Sequence, residues 1–169
     1  MNKRTIFIAR TGIIAALYFV LTFILQPISF GPLQFRVSEV LAIMPIFFLE
    51  AIPGLTIGCL IANIFSPFGW YDMTFGTMAT LIASVLTRLI WQRMKQRREK
   101  ERLFFALLPP VVVNALVLPL IWLIFASDLL FFVNMGLITL GQFGVVYLLG
   151  IPLYFAIKKT DLVAKEFWF

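Results

Sequence analysis

The chain has 169 residues, 62% of them hydrophobic, a formal net charge of +6, one cysteine and no histidine. Soluble domains are closer to half apolar, and a chain this short cannot bury the excess in its own core, so an ordinary soluble globule is excluded and lipid is the implied solvent. Without histidine the usual general base and the commonest metal ligand are missing, and a lone Cys59 excludes an internal disulfide.

The first stretch, MNKRTIFIARTGIIAALYFVLTFILQP, opens like a secretory signal. Its apolar part runs about twenty residues with no small-residue cleavage site after it, so it reads as a retained first span, helix 1 over about 5–25. Thr11, Gly12, Ala15 and Ala16 form two pairs of small residues four apart. Such pairs let a second helix come close, either within the chain or from a partner subunit.

The loop QPISFGPLQFRVS follows and carries Gln34 and Arg36. Ser38 reads as the N-cap of helix 2, over about 38–51, with Glu39 in its first turn, where a carboxylate favours the helix dipole. Arg36 reads either as an interfacial anchor or as a functional charge. Glu50 interrupts the apolar run, and Ala51-Ile52-Pro53-Gly54 reads as a turn into helix 3, about 53–66. Helix 2 is about 20 Å long against a hydrocarbon core of about 30 Å, and Pro45 breaks it. Short, broken segments persist in a bilayer when they are packed in protein or line a cavity.

SPFGWYDMTFGT, residues 66–77, leads into helix 4, about 72–94. Its Trp70 and Tyr71 fit an aromatic belt, and Asp72 fits a cap. A flat aromatic beside a carboxylate also suits a planar, hydrogen-bonding ring. The basic segment RLIWQRMKQRREKER links this half to helices 5 and 6, about 103–126 and 132–158. Asn63, Asn114 and Gln142 lie inside helices, where an amide needs a partner: another helix or a ligand. Asp128 and Asn134 fall at the outer loop between helices 5 and 6.

Charge placement fixes the span count. Thirteen of the 14 basic residues fall in three clusters: Lys3, Arg4 and Arg10; the segment from Arg88 to Arg102; and Lys158, Lys159 and Lys165. Short basic segments stay in the cytoplasm, so an even number of spans separates the clusters. The expectation is a single all-α integral membrane domain over 1–169, with six transmembrane helices, helices 2 and 3 short, and both termini cytoplasmic. Arg36 is then the one basic residue on the outer side. No nucleotide-binding GxxxxGK[ST] loop is present, so a lone six-helix binder would need a partner to drive any transport.

FGPLQFRVSEVLAIMPIF, EAIPGLTIGCLIANIFSPFGWYDMTFGTMATLIAS and the small-residue first helix resemble the QueT family, substrate-binding S components of energy-coupling factor (ECF) transporters. The resemblance covers most of the chain, is strongest over 30–84, and departs from the family pattern only conservatively. It implies uptake of a queuosine precursor, a 7-deazaguanine base, at a bacterial plasma membrane. It also implies a transmembrane T component and two ATP-binding cassette ATPases as partners, with no enzymatic activity, cofactor or metal. The T component would dock on Thr11, Gly12, Ala15 and Ala16, and the loop over about 26–38 would close over the ligand. The ligand residues would be Glu39, Arg36, Asp72, Trp70, Tyr71, Gln34, Asn63, Asn114 and Gln142. Glu39 would take the guanine edge, Trp70 or Tyr71 would stack, and Arg36 would donate to the ring carbonyl or hold Glu39. The alternatives are an S component for another vitamin or nucleobase, or a membrane protein outside transport.

Overall fold

The computed structural model describes residues 2–31, 33–125 and 127–160. Lys165 and the last residue of the expected fifth helix, Ala126, lie outside them. The described residues form helices and no strands: one short turn of helix, Gln26–Ser29, and six longer segments, α1 Lys3–Ile24, α2 Val37–Phe47, α3 Ala51–Asn63, α4 Asp72–Arg93, α5 Glu99–Phe125 and α6 Phe131–Lys158. Four of them, α1, α4, α5 and α6, are long and apolar enough to cross a membrane. Many large apolar side chains face outward, among them Ile8, Phe132, Leu140 and Leu148, a surface that only lipid or another chain would cover.

Successive helices alternate in direction. At one end of the bundle, Arg10 pairs with Glu50 at 3.4 Å, Arg88 donates to the Pro45 carbonyl at 2.9 Å, and Lys158 pairs with Glu99 at 2.5 Å. These contacts bring the described basic clusters to that end. Arg36 belongs to the opposite end. Helix α5 starts earlier than expected, at Glu99, because Glu99 and Glu101 suit a helix N-terminus.

Helix α2 has the position that its shortness demands. It packs against α1, α4 and α6, and eight of its residues are buried. It runs as a 3-10 helix over Val37–Ile43 and then as one α-turn, Met44–Phe47. The structure corrects two sequence expectations. The reversal between α2 and α3 lies at 48–50, and Pro53 sits inside the first turn of α3, where its missing N–H costs nothing. Ser38 is not an N-cap: the helix begins at Val37, and the Ser38 hydroxyl accepts from Thr22 Oγ1 on α1 at 2.7 Å.

Gly54 is used for packing, not for turning. With Gly58 it forms a small-xxx-small pair on α3, facing α1. A Cβ on Gly54 would lie 2.9 Å from Ile14 Cβ, and one on Gly58 would lie 2.7 Å from the Ala15 carbonyl and from Tyr18 Cβ. Ala15 is therefore buried within the chain and Thr11 half-buried, whereas Gly12 and Ala16 remain exposed. The small-residue stripe divides into an inner and an outer face.

Candidate binding site

At the end of the bundle opposite the basic clusters, polar side chains from four elements converge. The loop before α2 holds Gln34 in the left-handed region, φ 46°, with its N–H on the Gly31 carbonyl. The Leu33 carbonyl is pressed against α6, where a Cβ on Gly141 would come within 2.1 Å of it. Only glycine permits that approach. Arg36 follows in extended conformation and turns inward, and is 3% exposed.

The Arg36 guanidinium is held on three sides. Its Nε donates to Gln34 Oε1 at 3.0 Å, Nη1 to Asn63 Oδ1 at 3.2 Å and Nη2 to Asp72 Oδ2 at 3.3 Å. Its face lies over the Phe30 ring, 4.9 Å from the centroid. Asn63 also donates to the Asp72 main-chain carbonyl at 2.8 Å, and Ser66 donates to Asp72 Oδ2 at 2.7 Å. A charge-assisted network of this kind fixes each member's rotamer. The salt bridge joins Arg36 to Asp72, and Glu39 is held instead by the Tyr18 hydroxyl at 2.5 Å. Among the described residues Glu39 makes no salt bridge.

Asp72 opens a π-helical segment, Asp72–Gly76, and makes no capping bond. A second π segment, Gly144–Leu149, begins two residues after Gln142. π segments recur at functional sites because one extra residue per turn re-aims the side chains around it. Gly76 leaves room for Asn63, whose Nδ2 would lie 3.1 Å from a Cβ there.

The remaining candidates are placed as follows. Gln142 is 1% exposed on α6, and neither of its amide atoms has a partner. Asn114 is buried on α5, four residues before Leu118, which reaches toward Gly76. Trp70 points outward, 57% exposed, and lies against Tyr71, whose ring stacks on Phe125 at 4.7 Å. An inward-facing aromatic pair in the same cluster is Phe68 on Trp122, at 4.6 Å. Asn134 serves the outer loop, donating to Asp128 at 2.7 Å.

Sequence reasoning missed Tyr18, Thr22, Ser66 and Trp122. A signal was present for two of them. Thr11, Tyr18 and Thr22 are spaced seven and four apart in α1, whose remaining residues beyond Arg10 are apolar or small, so they share one face, and that face is turned inward.

The family model described as QueT transporter matches residues 8–159. The queuosine precursor transporter QueT of Lactococcus lactis subsp. cremoris (strain MG1363) is 33% identical over an alignment of 169 positions that covers 95% of this chain and 98% of that one. No solved structure matches. With a bundle of apolar helices closed around buried charges, the chain is a membrane protein and belongs to the QueT family, which is a family of transporters and not of enzymes.

Proposed function

We propose that this chain is the substrate-binding subunit of an ECF importer and takes up a queuosine precursor, a 7-deazaguanine base. The observation that carries the reading is the closed cluster of Gln34, Arg36, Asn63 and Asp72 beside Glu39, buried inside an apolar bundle. Ionisable groups in such a place are expensive and mark ligand paths. The related transporter's name supports the choice of substrate.

The site's chemistry suits the base. Glu39, with one oxygen held by Tyr18, accepts from the ring N–H and the adjacent exocyclic amine together. Gln34 and Arg36 donate to the ring carbonyl. Asp72 keeps Oδ1 open for a cationic arm. Trp122 with Phe68, backed by Tyr71, forms the aromatic wall.

Six crossings with both termini in the cytoplasm of a bacterium follow from assigning the basic end of the bundle to the inner side. A T component and two ATPases supply the energy. Gly12 and Ala16 are the exposed small residues on which the T component docks.

Uptake of a labelled 7-deazaguanine precursor tests the reading. Cells expressing this chain with all partner subunits accumulate the label, and cells lacking the ATPases do not. Accumulation without them would contradict the importer assignment. By calorimetry, Glu39→Gln binds the base at least about tenfold more weakly, from the loss of a charged double acceptor. Unchanged affinity removes Glu39 from the site.

A further inference from the structure

Four buried residues around the Arg36–Asp72 pair hold hydrogen-bonding atoms without a partner: Gln34 Nε2, Asp72 Oδ1, Trp122 Nε1 and both amide atoms of Gln142. Each connects to the pair. Gln34 accepts from Arg36, and Trp122 stacks on Phe68, whose N–H donates to Ser66, the hydroxyl that donates to Asp72. Gln142 follows Gly141, which meets the Leu33 carbonyl and the Gln34 backbone. Native proteins leave few such atoms, and each needs an explanation.

Gln142 is the extreme case. It is 1% exposed, and neither its donor nor its acceptor is used. Both atoms are open whichever way the amide is turned. One turn to either side, Ile138 packs with Leu118 and Trp122, and Val146 packs with Ile43 and Tyr147. The side chain therefore faces the interior between two apolar layers, at the depth where the loop before α2 abuts α6. An orphan amide there is costly in the empty protein and satisfied once a ligand supplies one acceptor and one donor side by side.

We propose that Gln142 is a specificity-determining residue that reads a ring edge carrying an acceptor beside an N–H, and that in a 7-deazaguanine this is the N3/N9–H edge. The choice of edge rests on the base-binding reading above. Glu39 takes the N1–H and exocyclic amine, and the carbonyl has no donor beside it once N1–H is used. Two acceptor–donor pairs are left, and both use N3: one with the second hydrogen of the exocyclic amine and one with N9–H, which lies farther from Glu39 and is the edge that methylation at N9 tests. Gln142 Nε2 donates to N3, and Oε1 accepts from N9–H, the bidentate fit of a primary amide on a purine-like edge. N9 carries the sugar in a nucleoside, so the same contact makes the site select the free base.

Calorimetry on the purified full chain, with 7-deazaguanine and 9-methyl-7-deazaguanine as probes, tests this. The wild type should bind the unmethylated base at least about tenfold tighter. Gln142→Met should weaken the unmethylated base by a similar factor and leave the methylated one almost unchanged, so the ratio collapses. The melting temperature of the ligand-free variant should stay level or rise, because an unsatisfied buried amide has been replaced by an apolar side chain of similar size. Equal binding of the two bases by wild type overturns the proposal, and that comparison needs no variant to fold. A variant that loses both bases by the same factor, or that melts lower when empty, assigns Gln142 a structural role and also overturns it. If folded wild type binds neither base, the base-binding reading itself fails, an outcome distinct from binding without discrimination.

Discussion

Asp72→Ala isolates the ion pair at the centre of the site. The Arg36 side chain is 4% exposed and that of Asp72 is fully buried, with 3.3 Å between Nη2 and Oδ2. At that distance and an effective dielectric of about 20, the pair is worth roughly 5 kcal/mol of Coulomb energy. Breaking a buried pair by removing one member costs about 3–5 kcal/mol, because the survivor stays desolvated. The substitution keeps the main-chain carbonyl that Asn63 uses but strands the Ser66 hydroxyl, so the double-mutant comparison, more than the single loss, reports on the charge pair. Replacing both members, Arg36→Met with Asp72→Ala, removes the stranded charge as well. The two single losses should then exceed the double loss by about 2 kcal/mol or more. Reversible unfolding in mixed micelles, followed by fluorescence of the four tryptophans, measures all three variants. Losses that add within about 0.5 kcal/mol would mean that the two groups do not depend on each other, and Arg36 and Asp72 would not be the coupled centre of the network.

Two further outcomes follow from the packing. Gly12→Leu should weaken assembly with the T component and leave base affinity unchanged, since nothing lies within 4 Å of a Cβ there. Ala15→Leu should damage both, because Ala15 is buried against Gly58; co-purification and calorimetry separate the two effects, and a Gly12→Leu variant that assembles normally would move the docking surface elsewhere. Gly141→Ala should push the Leu33 carbonyl away, displacing Gln34 and Arg36 and lowering base affinity at least about tenfold. Wild-type affinity in that variant would show that the loop's seat on α6 is irrelevant to the site.

Much of the fold was legible because lipid imposes simple rules. Apolar length marked four long helices and one further run, 40–65, and the grouping of basic residues, which required an even count between clusters, divided that run into two short helices. Local signals misled where tertiary contacts overrode them. Pro53-Gly54 has the chemistry of a turn, yet Pro53 is equally at home in the first turn of a helix, and Gly54 is needed for the approach of α1. Ser38 has the chemistry of a cap, yet its hydroxyl bonds across to Thr22. The stripe on α1 read as one surface, but residues four apart share a face while adjacent residues differ by about 100°. Thr11 and Ala15 therefore turn inward while Gly12 and Ala16 turn out. The direct bonds of Arg36 to Gln34, Asn63 and Asp72 join residues up to 36 positions apart, and no periodicity encodes such a meeting.

The helices that carry the site's carboxylates and Gln142 depart from α geometry close to those residues, and this explains why spacing alone could not assemble it. Glu39 lies in a 3-10 turn, Asp72 starts one π segment, and Gln142 stands just before another. A tighter or wider turn rotates the following side chains relative to an ideal helix, so a helical wheel drawn from the sequence aims them wrongly. Helix α2 packs against the second π segment, whereas the first packs between α3 and α5. Glu39 on α2 meets Tyr18, and Asp72 Oδ1 and the Gln142 amide are buried without partners among the described residues. Irregular backbone and unsatisfied polar atoms are each unfavourable in lipid, and their coincidence around Glu39, Asp72 and Gln142 is what the ligand-site proposal rests on.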